Sequence, residues 1–252
     1  MELLGPSVSN TRRKMANIHY TIGTVLSLAA YMLQCLRSFH EHGFVHRDVK
    51  PGNFLLRAGD ISPLVMIDFG LSRQFINPVT RQPFPERMKC GFRGTGKYAS
   101  LRALRSRDQS PRDDLISWLY SIVELIEGCL PWGIERNRAT LERLKSGIAA
   151  RDLMRKLPSE MYRIWNYVDK LSYSSKVDYD FIFHMIGEAM RSVRVTMATP
   201  FDWEVLTKAQ IEAYSKVSVL PRASDFIGRF TIDVLAPDKE EEPAACTPCE
   251  IA

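Results

Sequence analysis

Cysteine is sparse in this chain and follows no pattern. Cys35, Cys90, Cys129, Cys246 and Cys249 are scattered and odd in number, which argues against a disulfide framework. No secretory signal opens the sequence, so the expected setting is intracellular and reducing, cytoplasmic or nuclear. Excess charge is also scarce. The formal net charge is +5, and no run of lysine or arginine is dense enough to indicate nucleic acid; acidic or phosphorylated partners fit equally well. No internal repeat is present. What remains is a chain of 252 residues, 45% hydrophobic and 25% charged, which can bury one substantial core.

Long apolar runs are limited to one candidate. Ile18 to Leu36 carries no Asp, Glu, Lys or Arg and approaches the length of a membrane span. It contains His19, Tyr20, Thr21, Thr24, Ser27 and Gln34, and its apolar residues recur as Ile22, Val25, Leu26, Ala29, Leu33 and Leu36. That spacing predicts a long core helix, ending near Gly43 as a C-cap. A second helix is predicted over Asp113 to Gly128, apolar on every side and therefore buried on every side. Shorter helices are expected at Thr140 to Ser146, Ser159 to Leu171 and Asp178 to Ser192, with strands around Phe54 to Leu56 and Leu64 to Ile67. An irregular stretch runs from Asp68 to about Ser100. From Trp203 the periodicity weakens, and PDKEEEPAACTPCEIA, about 236–252, reads as a disordered tail.

The chemistry lies in two motifs. His46 to Leu56 reads HRDVKPGNFLL, and Asp68-Phe69-Gly70 begins fifteen residues after Asn53. Asp, Lys and Asn at i, i+2 and i+5, followed at that distance by Asp-Phe-Gly, match the catalytic and metal-binding machinery of a protein kinase. Phosphoryl transfer needs a hydroxyl aimed at the γ-phosphate and the phosphate charge neutralised. Asp48 is the candidate that orients or accepts the hydroxyl proton, and Lys50 reaches the transferred phosphate, which favours Ser/Thr over Tyr. Asn53 and Asp68 supply hard oxygens suited to Mg2+.

MELLGPSVSNTRRK resembles the hinge segment of the casein kinase 1 group. FRGTGKYAS, SPRDDLISWLYSIVELIEGCLPW, LPSE, DYDFIF and FDWE look like the tau-tubulin kinase branch, and the lack of an Ala-Pro-Glu triplet is also typical of the group. The resemblance runs from Met1 to about Trp203 and implies a mainly α large lobe over 1–203 with a few short strands, followed by a 204–252 extension. It implies ATP and Mg2+ as cofactors and protein Ser/Thr as acceptor. Glu2 and Leu4 would bind the adenine edge through backbone, with Leu55 and Ile67 as the floor beneath the ring. Asp114 would hold the catalytic loop. Lys97, with Lys145 as a second contact, would bind an anion, which implies acidic or already phosphorylated protein substrates.

Two departures stand out. Ser100-Leu101-Arg102 replaces the group's usual Ser-Ile-Asn or Ser-Val-Asn. The Gly-rich loop, and the Lys–Glu pair that activity requires, would precede Met1 in the family, where Met1 matches the gatekeeper. The expectation is therefore a large lobe inactive by itself, the alternative being a non-catalytic lobe that binds partners. Cys249-Glu250-Ile251-Ala252 fits a prenylation pattern, the one route by which a membrane partner enters this reading, although Glu250 is a poor aliphatic and the DKEEE run repels anionic lipid. Cys246 and Cys249 also form a C-x-x-C with no companion pair.

Overall fold

Two apolar helices cross at the centre of the molecule. The computed structural model describes residues 3–15, 18–57 and 63–205, and among these the elements are mainly helical. In chain order, α1 (Val8–Arg13) precedes α2 (Ile22–Glu41), and β1 (Phe44–Val45), β2 (Phe54–Leu56), β3 (Leu64–Met66) and β4 (Arg73–Gln74) follow. Then come α3 (Leu101–Leu104), α4 (Pro111–Glu127), α5 (Arg138–Gly147), α6 (Ala150–Leu153), α7 (Ser159–Asp169) and α8 (Tyr179–Ser192).

The apolar period predicted in 18–36 becomes α2, which runs to Glu41 and reverses at Gly43, where φ is +86°. Glycine adopts that left-handed conformation without a Cβ penalty. The helix has the length and hydropathy of a membrane span, but α4 and α8 cover it. Trp118 of α4 is fully buried and donates its indole N–H to Ala29 O of α2 at 3.1 Å. Burying each such large side chain contributes about 1.5–3 kcal/mol.

Helix α4 begins at a capping box between Ser110 and Asp113, with Pro111 in its first turn, and ends on Gly128 at φ +86°. Asp113 and Asp114 thus enter the core at a helix N-terminus, where backbone dipoles favour carboxylates. Asp178 caps α8 by accepting from Phe181 N at 2.9 Å. The core reaches Trp203, which lies edge-on to Tyr20.

Helices α1, α3 and α6 carry no strong periodic signal and are additions to the sequence reading. The predicted strands at 54–56 and 64–67 pair antiparallel, Phe54 opposite Met66 and Leu56 opposite Leu64. Segment 5–7 joins them, since Gly5 N donates to Leu56 O and Leu56 N to Pro6 O. Strands β1 and β4 form a second ladder, Val45 opposite Arg73. The stretch 68–100 is irregular apart from β4, a 3-10 turn at Phe69–Leu71 and short turns.

Candidate active site

Both ladders serve the loop 46–53, which leaves β1 and enters β2. Pairing of β1 with β4 draws the chain after Asp68-Phe69-Gly70 against the start of this loop. At its end, Ile67 N donates to Asn53 O at 2.9 Å. Two motifs fifteen residues apart are thereby brought to one place.

Asp114 holds the loop from below. Its Oδ1 accepts from Arg47 N at 2.8 Å and its Oδ2 from His46 N at 2.7 Å. His40 Nε2 lies 2.9 Å from the same Oδ2, and Tyr179 meets the other His40 nitrogen. Burial alone would raise the Asp114 carboxyl, but the hydrogen bonds from His40 and from the His46 amide hold it below the ordinary range. These two N–H bonds fix Arg47 at φ +67°, a strained conformation for a side chain of this size. His46 Nδ1 accepts from Asp48 N at 3.3 Å, so the proton resides on Nε2, which donates to Ile67 O at 3.1 Å.

Asp48 is almost buried and its carboxylate is engaged on both sides. Oδ1 accepts from Thr95 N at 2.8 Å, and Lys50 Nζ donates to Oδ2 at 2.5 Å. Lys50 also donates to Thr95 Oγ1 at 3.1 Å. Gly94 makes this approach possible: its φ is +104°, and a Cβ there would meet Arg47 O at 2.4 Å. Asn53 Nδ2 donates to Asp48 O at 2.9 Å, which commits the amide nitrogen and turns Oδ1 toward a neutral-ligand role. Asp68 is exposed at φ +66°. Phe69, after it, packs on Phe39 and His46 at ring distances of 5.1 and 5.6 Å.

Mg2+ and ATP fit what these residues offer. Among the described residues no three His, Cys, Asp or Glu side chains cluster around a metal position. A neutral amide oxygen and one exposed carboxylate leave coordination positions for phosphate and water, the habit of Mg2+ rather than of a caged metal. Leu4, Leu55 and Ile67 are half-buried along the 5–7, β2 and β3 segments, where Phe54 and Leu56 point inward and Leu55 outward. Glu2 lies outside the described residues, as do Cys246 and Cys249.

The two lysines expected to bind an anion sit differently from that expectation. Lys97 pairs with Glu124 at 2.6 Å, and Glu124 also binds Arg12 at 2.9 Å and the Tyr98 hydroxyl. Lys145 is a correction. Only 5% exposed, it donates to the carbonyls of Gly96 (2.9 Å), Lys97 (3.0 Å) and Ala99 (2.6 Å), which uses its three N–H bonds internally. Arg102, the departure from the family pattern, donates to Glu86 at 2.8 Å, and Arg107 joins the same carboxylate. Next to it, Asp108 receives Arg73 and Arg87. Burial opposes this carboxylate, yet the two guanidinium bonds hold it well below the usual range.

Sequence reading did not single out Thr95, Gly94, His40 or Arg12. The Gly-Thr-Gly string was the available signal, since repeated glycine marks close backbone approach.

An Asp–Lys–Asn loop braced by the buried Asp114 lies beside an exposed Asp-Phe-Gly turn, the arrangement of a kinase-type site. Residues 5–202 match the protein kinase domain. The chain belongs to the protein kinase family. It is 36% identical over 211 residues to a probable serine/threonine-protein kinase of Dictyostelium discoideum, covering 83% of this chain and 42% of that protein. Casein kinase I homolog 1 of Schizosaccharomyces pombe is 30% identical, with 83% and 49% covered. A probable casein kinase I homolog of Encephalitozoon cuniculi is 32% identical, with 82% and 69% covered. The chain thus spans about half the length of the first two relatives.

Proposed function

We propose that this chain forms the phosphate-transferring side of a serine/threonine protein kinase of the casein kinase 1 group, nearest the tau-tubulin kinases. The observation that carries the reading is Asp48, with Oδ1 fixed by Thr95 and Oδ2 by Lys50. A substrate hydroxyl presented to this carboxylate would be oriented and give its proton to Oδ2 as its oxygen bonds the γ-phosphorus of ATP, the bond from that phosphorus to the β–γ bridging oxygen breaking and ADP leaving. Lys50 then turns from Asp48 to the charge on the transferred group, and Thr95 keeps the carboxylate in place. Asn53 and Asp68 would hold the metal. When bound, Mg-ATP supplies the phosphoryl group and the neutralising charge. Leu4, Leu55 and Ile67 would line the adenine site. Acidic or phosphorylated protein substrates suit Lys97, whose side chain is about one-fifth exposed and pairs with Glu124.

The experiment is magnesium-dependent ATP binding by a fusion carrying a casein-kinase-type small lobe before Met1. Asp68→Ala should weaken it at least about tenfold. Equal magnesium dependence in the variant would remove Asp68 from the site.

A further inference from the structure

We propose that Lys145 is a positioning residue for the phosphotransfer site, holding the 95–99 loop so that Thr95 can fix Asp48 and Lys50. The inference rests on the kinase reading above, but its test does not depend on activity.

Lys145 lies near the end of α5 with its ammonium beneath the loop. It donates to three carbonyls within four residues, those of Gly96, Lys97 and Ala99. The rings of Tyr120 and Trp132 face it at 4.6 and 5.0 Å, and Trp132 Nε1 donates to Lys97 O at 2.8 Å. Above, the same loop is tied at its other end. Tyr98 N and Ala99 N both donate to Thr95 O, and Thr95 N and Oγ1 face Asp48 and Lys50. Gly96 allows close packing, since a Cβ there would lie 2.9 Å from Leu141 of α5. One short loop therefore links a buried cation to the carboxylate of the site. A hydrocarbon at position 145 would leave the Gly96 and Ala99 carbonyls without that donor and Lys97 O with Trp132 alone, a cost the loop relieves by moving.

The link is sensitive to protonation. Burial pushes Lys145 down from 10.5 to about 7. Three carbonyls and two ring faces surround the ammonium and favour its charged form. A neutral amine presents a lone pair to one of the carbonyls and loses that bond. The titratable groups nearest it on the packed elements are Tyr120 of α4 and Tyr98 and Lys97 of the loop, and α4 also carries Asp113, Asp114, Glu124 and Glu127. Burial raises both tyrosines well above an ordinary phenol, and Lys97 is paired with Glu124. Glu142 on α5 is bonded to Arg105.

The test is hydrogen exchange by mass spectrometry on the full chain, from about pH 6 to about pH 10, corrected for intrinsic exchange. Two segments are read, 94–99 and 46–53. In the wild type both should lose roughly tenfold in protection as pH rises, the factor for about one hydrogen bond. Lys145→Arg, which stays charged, should keep protection at every pH. Lys145→Met should be unprotected throughout in both segments, with α4 unchanged. Segment 46–53 is discriminating, because Lys145 does not touch it and a local structural role leaves it alone. No pH step in the wild type, the same step in Lys145→Arg, or an unaltered 46–53 in Lys145→Met each overturns the proposal. The comparison of wild type with Lys145→Arg stands even if the Met variant does not fold. A loop that follows Lys145 in a protein that transfers no phosphate would keep this inference and sink the kinase reading.

Discussion

Thr95 donates its backbone N–H to Asp48 Oδ1 at 2.8 Å while its hydroxyl receives Lys50, so one residue 45 to 47 positions away sets both groups of the 46–53 loop. The contact depends on Gly94, whose φ of +104° brings the loop against Arg47 O. Gly94→Ala should cost roughly 1–3 kcal/mol from backbone strain, and more through the clash. Denaturant unfolding measures this, and the 46–53 segment should lose protection in the same variant. Wild-type stability would mean that the close approach is not required.

Asp108 gives a pH-dependent prediction. Its carboxyl is held below the ordinary value by Arg87 and Arg73, so its contribution to stability is present above about pH 3.9 and is lost as pH falls through the folded value. Asp108→Asn should destabilise the protein by roughly 1–3 kcal/mol at pH 7 and by little at the lowest pH at which the chain still folds. Thermal unfolding across pH measures the difference. A gap between the two proteins that does not shrink in acid would contradict the pairing.

Arg12 ties α1 to α4. Its guanidinium bonds Glu124 at 2.9 Å and the carbonyls of Ile18 and Gly128, and both side chains of the ion pair are buried. Arg12→Ala leaves a buried carboxylate with only Lys97 and Tyr98, and should cost about 3–5 kcal/mol. Arg12→Ala with Glu124→Gln should cost less than the sum of the single changes, measured as a double-mutant cycle. Additive losses would show that the two side chains act independently.

The floor of Leu4, Leu55 and Ile67, with Leu3 79% and Phe69 40% exposed, offers apolar surface to solvent. Patches beyond a few hundred Å² commonly drive association. Size-exclusion chromatography with light scattering should show self-association that grows with concentration, while circular dichroism stays helical. A clean monomer at high concentration would favour a self-sufficient binding module.

The large buried helices were legible because they bury on all sides or at a regular period: α2 and α4 appear within a few residues of their predicted ranges. Helices α1, α3 and α6 are only four to six residues long, and β1 and β4 have two residues each. Such elements exist because tertiary neighbours hold them, not because of local preference. Asp48, Lys50, Asn53 and Asp68 were legible as a motif, since their spacing is local. Thr95, which bonds Asp48 and Lys50, and His40, which bonds Asp114 behind the loop, were not, because those bonds join residues brought together only by the fold. Lys145 was misread for the same reason. A lysine near the end of a polar helix looks exposed until the rings of Tyr120 and Trp132 are placed beside it.

Phosphate transfer tests the central claim most directly. The fusion with a casein-kinase-type small lobe before Met1 is given Mg-ATP and casein, and labelled phosphate on serine and threonine is counted. The account predicts clear incorporation, and a fall of at least about a hundredfold in Asp48→Asn with ATP still bound. A folded fusion that binds ATP and labels nothing, or an Asp48→Asn variant that labels as well as the parent, would contradict it.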